Sequence, residues 1–116
     1  MRKPIVYIAG NITSTGDIDK NKEAFFKAER LLKGKGCEPV CTAALPTGLK
    51  EETYMAISFA LIADADAVYF LDGWSWSKGA KAEKAYAEKL GIKLLFQPDD
   101  HRLSLLNDIQ PRMEMG

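Results

Sequence analysis

The sequence predicts a three-layer α/β domain: a parallel sheet of four to five strands with helices on both faces. Three observations carry this. Short apolar runs alternate with longer segments whose apolar residues recur at helical spacing. The runs are apolar at nearly every position, as strands buried on both faces are, and not at alternate positions only. The chain has 116 residues, the length of one domain at about 100–150 residues.

The first strand is Ile5-Val6-Tyr7-Ile8-Ala9, β-branched and closed by Gly10. A polar loop from Gly10 to Gly16 follows. Ala24, Phe25, Ala28, Leu31 and Leu32 then fall on one helical stripe, which Gly34-Lys35-Gly36 terminates. Residues 37–42 read as a second strand. Its Cys37 and Cys41 lie four apart, which is not the spacing of a CxxC redox or zinc site, so they read as small apolar residues on one strand face. A loop with Pro46 and Gly48 leads to a second helix, striped by Tyr54, Ile57, Ser58, Leu61, Ile62 and Ala65. Residues 67–71 form the third strand and 72–77 a loop. A third helix spans about 78–90 and stops at Gly91; residues 92–96 are the fourth strand. Residues 1–96 form the domain. Residues 97–116 are a tail with one short helix near 103–107, expected to pack on the domain or on a neighbouring subunit. Strand and helix alternating in this way give a doubly wound, flavodoxin/Rossmann-like sheet.

Sixteen Lys and Arg balance sixteen Asp and Glu. That neutrality argues against long nucleic acids, whose affinity comes largely from phosphate neutralisation. It also argues against an acidic disordered tail. No apolar run approaches the roughly 18–20 residues that span a bilayer. The start, Met1-Arg2-Lys3-Pro4 and a short strand, lacks the features of a signal peptide, so the expected location is cytoplasmic. A single histidine, His101, and no Asp/His cluster leave no metal constellation, and no cofactor is expected.

In a doubly wound sheet the ligand lies beyond the carboxyl ends of the strands. The loops that matter are therefore 10–16, 42–48 and 72–77. The first is glycine-bounded and offers backbone N–H groups to a phosphate, without matching GxGxxG or a P-loop. The third helix is more informative. With Gly79 at zero and steps of about 100°, Glu83 falls near 40°, Tyr86 near 340°, Ala87 near 80° and Leu90 near 20°. Lys81, Lys84 and Glu88 lie opposite. Glu83 is the one charge in the inward stripe, in the second turn, where a ligand would sit. Two readings are open: a carboxylate tilted to solvent or bonded to a loop, or a working group whose pKa desolvation raises. Ser77 is placed to cap this helix, and Gly79 bares the backbone beside it.

Tyr7-Ile8-Ala9-Gly10-Asn11-Ile12 resembles the strand-end opening of the nucleoside 2-deoxyribosyltransferase-like superfamily. Asp66-Ala67-Val68, followed by Gly73-Trp74-Ser75-Trp76-Ser77-Lys78-Gly79-Ala80-Lys81-Ala82-Glu83, resembles its second motif. The version here is most similar to a small bacterial and phage branch related to 2′-deoxynucleoside 5′-phosphate N-hydrolases. The resemblance runs from about residue 5 to 96. It implies chemistry at the N-glycosidic bond of a 2′-deoxynucleoside or its 5′-monophosphate, with Glu83 as the nucleophile that attacks C1′ and Tyr7 positioning it. It implies substrate contacts from Gly10, Asn11, Ile12, Asp72, Trp74, Ser77, Lys78 and Gly79. Relatives acting on free nucleosides carry aspartate six residues before the glutamate, and monophosphate hydrolases carry serine. Ser77 therefore points to a 5′-monophosphate.

One position departs from the pattern. Relatives hold an aspartate, which assists the base, where this chain has Ser58. Asp72, Asp64, a neighbouring subunit or water would have to supply the proton, or the protein binds nucleotides without cleaving them. Trp74 and Trp76 are candidates to stack on a base or to be buried. Relatives assemble as dimers or larger, so a homo-oligomer, dimer or tetramer, is expected. The partner expected in the site is a small nucleoside or nucleotide.

Overall fold

In the computed structural model, which describes residues 2–12 and 17–97, the sheet is built around β1 (Ile5–Ala9). The chain continues through α1 (Ile18–Gly34), β2 (Glu38–Val40), α2 (Glu51–Asp64), β3 (Ala67–Phe70), α3 (Lys78–Lys89) and β4 (Lys93–Phe96). The sheet order is β2-β1-β3-β4 and each pairing is parallel. Tyr7 sits opposite Val40 on one side and Val68 on the other. The described residues thus form the predicted sheet with four strands.

Alternation along each strand divides the core in two. Val6, Ile8, Tyr69, Leu71 and Leu95 pack against Phe25, Ala28 and Leu32 of α1. Tyr7, Ala9, Val68 and Phe70 face the other way, against Ile62 of α2 and Ala87 of α3. One helix covers one face and two cover the other. From β1 the chain moves to β2 on one side, then returns through α2 to β3 on the other. The strand order reverses at β1, which opens a crevice at the carboxyl ends.

Local sequence sets the boundaries. Asp17 caps α1, its Oδ1 accepting the Asp19 N–H at 2.9 Å. The chain leaves α1 through Gly36, at φ +84°, and the Cys37 N–H returns to the Leu32 carbonyl. β2 is shorter than the predicted 37–42, three residues with Pro39 at their centre. Proline lacks a ladder donor and belongs on an edge strand, where β2 lies. Cys37 and Cys41 flank that strand as free thiols and pack on the same core cluster. Loop 72–77 contains a turn of 3-10 helix, Trp74–Trp76.

At the amino end of the sheet, Asp66 ties β1 to β3. Its carboxylate accepts both Arg2 guanidinium nitrogens at 2.8 and 3.0 Å and the Ile5 N–H at 2.7 Å. The Asp66 N–H in turn donates to the Ile5 carbonyl. Among the described residues no helix is long and apolar enough to cross a membrane. The tail from residue 98, with its expected helix, His101 and the subunit contact assigned to it, lies outside the described residues.

Candidate active site

The alternation that gives β1 two faces sends Tyr7 toward α2 and α3. The helical phase of α3 turns Glu83 to meet it. The Tyr7 hydroxyl donates to Glu83 Oε2 at 2.6 Å, with both side chains buried. Ser58 in α2 completes the floor. Its hydroxyl gives its one proton either to the Met55 carbonyl within its own helix, at 3.1 Å, or to the Glu83 carboxylate. The Thr42 hydroxyl meets the Tyr7 phenol from the other side.

This surrounding is poor in compensation for a negative charge. Among the described residues no lysine, arginine or histidine forms an ion pair with Glu83. Burial pushes its carboxyl up to about 7, while the hydroxyls of Tyr7 and Ser58 favour the ionised form and limit the rise. Burial, then the neighbouring Glu83, holds the Tyr7 phenol well above its ordinary range. Tyr7 is therefore a neutral donor to a carboxylate that titrates near neutrality.

Above this floor opens a cleft of about 300 Å³. Tyr7, Gly10, Ile12, Ser77, Lys78, Gly79 and Glu83 all line it. Ser77 caps α3, its Oγ accepting the Ala80 N–H at 3.1 Å. The two glycines differ. A Cβ on Gly10 would come within 3.1 Å of Leu71 and 3.2 Å of Phe25, so both side chains would have to give way. A Cβ on Gly79 would meet Ser77 Oγ at 3.7 Å and Met55 Sδ at 3.8 Å, ordinary contacts, so that position has room for a methyl group.

Three expectations need correction, those for Trp74, Asp64 and Leu90. Trp74 is turned away from the cleft and packs on Phe70 and Phe96 at 5.2 and 5.7 Å between ring centroids. Trp76, 74% exposed, lines the opening in its place. Asn11 and Asp72 line a separate, smaller cavity. Asp64 is exposed at the far end of α2, so it does not substitute at Ser58. Leu90, placed on the inward stripe, follows the last turn of α3 and is 40% exposed, because the buried face centres on Ala80, Glu83 and Ala87. Residues 13–16 of the glycine-bounded loop lie outside the described residues.

The sequence reading missed Thr42, Tyr54, Met55 and Lys22 as cleft walls. Tyr54 lies on the helical stripe of α2 that the sequence shows, beside Ser58. The first two turns of α2 overhang the strand ends, so that half of the stripe faces the cleft. Among the described residues no group of three His, Cys, Asp or Glu is placed to hold a metal ion.

The model of the Domain of unknown function (DUF4406) family matches residues 4–96, and the chain belongs to that family. Among solved structures, the chain is similar to the CMP N-glycosidase BcmB of Clostridium botulinum. The identity is 15%, covering 92% of this chain and 83% of that one, with a TM-score of 0.57. At that identity the likeness is one of fold. No curated protein matches.

Proposed function

We propose that this member of the DUF4406 family cleaves the N-glycosidic bond of a nucleoside 5′-monophosphate, with the 2′-deoxy forms included, through Glu83 as nucleophile. The observation that carries the reading is the Tyr7–Glu83 pair: a buried carboxylate with no cation partner among the described residues, held by a phenol at 2.6 Å on the floor of the cleft. A structural carboxylate at such a position is ordinarily neutralised by a cation. The fold shared with a CMP N-glycosidase supports the same chemistry.

In this reading Glu83 attacks C1′ of the sugar. The C1′–N bond breaks, its electron pair leaves with the base, and the base takes a proton from solvent. A glycosyl ester of Glu83 results, and water attacking C1′ releases the sugar phosphate and restores the carboxylate. The developing positive charge at the sugar offsets the desolvation of Glu83 in the transition state. Tyr7 fixes the orientation of the carboxylate and gives up its hydrogen bond as charge moves to C1′. Ser77, Lys78 and the amino end of α3 receive the 5′-phosphate. The test is release of free base from a panel of ribo- and deoxyribonucleoside monophosphates, read by chromatography. Turnover should vanish in Glu83→Ala. Equal turnover in both proteins would sink the reading.

A second reading, a nucleotide-binding protein without turnover, is favoured by Ser58. Its hydroxyl serves its own helix or Glu83, and general acid help of about 10²–10⁴-fold is absent at that position. Ligand binding without product over many hours would decide for it.

A further inference from the structure

Beside the cleft lies a second cavity of about 210 Å³, lined by Asn11, Asn21, Asp72 and Trp76 among others. Trp76 lines both chambers. Its placement follows from the loop. Gly73, at φ +84°, turns the chain into the 3-10 turn. That turn buries Trp74 against Phe70 and Phe96 and leaves the second indole at the opening, just before the helix cap Ser77. Trp76 is the most exposed large apolar side chain among the described residues, and no described ring packs on it.

The main cleft stands at the lower end of the roughly 300–1,000 Å³ of small-molecule sites. A sugar phosphate over Glu83 occupies much of it. We propose that the second chamber is the base subsite of this cleft, with Trp76 as the stacking platform and Asp72 as the selector of an amino-bearing base. The inference rests on the reading of the cleft as a nucleoside monophosphate site.

The division of labour follows from the two side chains. An indole face stacks on any planar base and so gives affinity without selectivity. An ionised carboxylate is acceptor-only and needs N–H partners. The Asp72 backbone N–H is already taken by Gln97 Oε1 at 2.8 Å, which anchors the loop, and no described cation pairs with the Asp72 carboxylate. Cytosine and adenine carry an exocyclic amino group where uracil and guanine carry a carbonyl. Facing Asp72, a carbonyl leaves two acceptors opposed and unpaired, which rejects it. Asn21 closes the wall, its Nδ2 donating to the Ile12 carbonyl at 3.0 Å.

The test is calorimetric titration of Glu83→Gln protein, in which turnover is blocked. The ligands are cytidine 5′-monophosphate, uridine 5′-monophosphate and ribose 5-phosphate, with their 2′-deoxy forms. Cytidine monophosphate should bind about tenfold or more tighter than uridine monophosphate. Adding Asp72→Asn should bring the two within about threefold of each other, because the amide offers a donor as well as an acceptor. Adding Trp76→Ala should weaken both nucleotides about tenfold and leave ribose 5-phosphate unchanged. Both residues are exposed, so the variants should fold as the parent does. Unaltered base preference in Asp72→Asn, or equal weakening of sugar phosphate and nucleotides in Trp76→Ala, overturns the inference. Base-selective binding in a native protein that releases no base breaks the catalytic reading alone. Glu83-dependent release without base selectivity breaks the inference alone.

Discussion

Asp66 and Glu83 are both buried carboxylates on one parallel sheet, toward opposite ends of its strands, and they are held by opposite means. Asp66 has a side chain with no exposure and a guanidinium across it in a two-bond fork, plus a backbone donor. Glu83 is nearly as deep but, among the described residues, receives only neutral hydroxyls. The first arrangement lowers the energy of a charge and stitches two strands together. The second leaves the charge undercompensated, so that it lowers its energy by reacting or by taking up a proton. Within one fold, the surroundings separate a carboxylate that serves stability from one that is available for chemistry.

Isosteric amides test that contrast. The largest effect is expected in turnover. Glu83→Gln should lower it by at least about 10³-fold, roughly 4 kcal/mol of barrier. Asp66→Asn should leave turnover per folded molecule within about threefold, as a base-release assay corrected for folded fraction would read. Stability should respond with opposite sign. The Glu83 carboxyl titrates at about 7 in the folded chain against 4.5 for the free group, so folding favours its protonated form. The penalty of ionising it is absent below about pH 4.5, grows between 4.5 and 7, and is complete above 7. Glu83→Gln should therefore stabilise the protein at pH 8 by up to about 3 kcal/mol and leave it unchanged at pH 4. Asp66→Asn should destabilise by about 2–3 kcal/mol at neutral pH, since the charged two-bond fork with Arg2 is lost. Urea titrations at the two pH values check both. Equal signs for the two amides would dissolve the contrast.

Smaller changes sharpen it. Ser77→Asp keeps a competent helix cap but sets a negative charge where the 5′-phosphate is proposed to lie. Activity on monophosphates should fall about 10–100-fold with little change in melting temperature. A matching fall on unphosphorylated nucleosides would show that Ser77 acts through the helix alone. Tyr7→Phe removes one of the two hydroxyls that favour ionised Glu83. Activity should drop about tenfold, and the acid limb of the pH profile, placed near 7 by Glu83, should move upward. An unmoved limb would detach Tyr7 from the ionisation of the glutamate.

Much of this was legible in the chain because it depends on periodicity. The apolar runs 5–9 and 67–71 read as strands covered on both faces, and the helical phase of α3 turns Glu83 inward. What escaped depends on how loops and helix ends meet in space. Nothing local distinguishes Trp74 from Trp76. Their opposite fates come from the positive φ of Gly73 and from one turn of 3-10 helix that rotates one ring into the core. Thr42 and Met55 reach the cleft because the β2 loop and the first turns of α2 overhang the sheet, a fact of tertiary arrangement. Leu90 was misplaced because the helical phase was carried one residue past the end of α3. Ser58 shows the limit of motif reading from the other side. The departure was visible at once, but its hydroxyl's bond to Met55 was not.

The tight surroundings of Gly10 bear on how kinship should be weighed across this family. Leu71 and Phe25 stand so close that any side chain there would have to push them aside by a few tenths of an ångström, with or without a ligand. Selection against change at position 10 therefore operates in every descendant that keeps this sheet, including any that has lost catalysis. Under the proposed function position 83 is under the reverse regime, because a buried glutamate weakens the fold at alkaline pH and only a working site would retain it. A lineage drifting toward idleness should shed the glutamate early and the glycine last. A survey of relatives can thus sort working enzymes from retired ones by the residue at position 83, giving the glycine no weight.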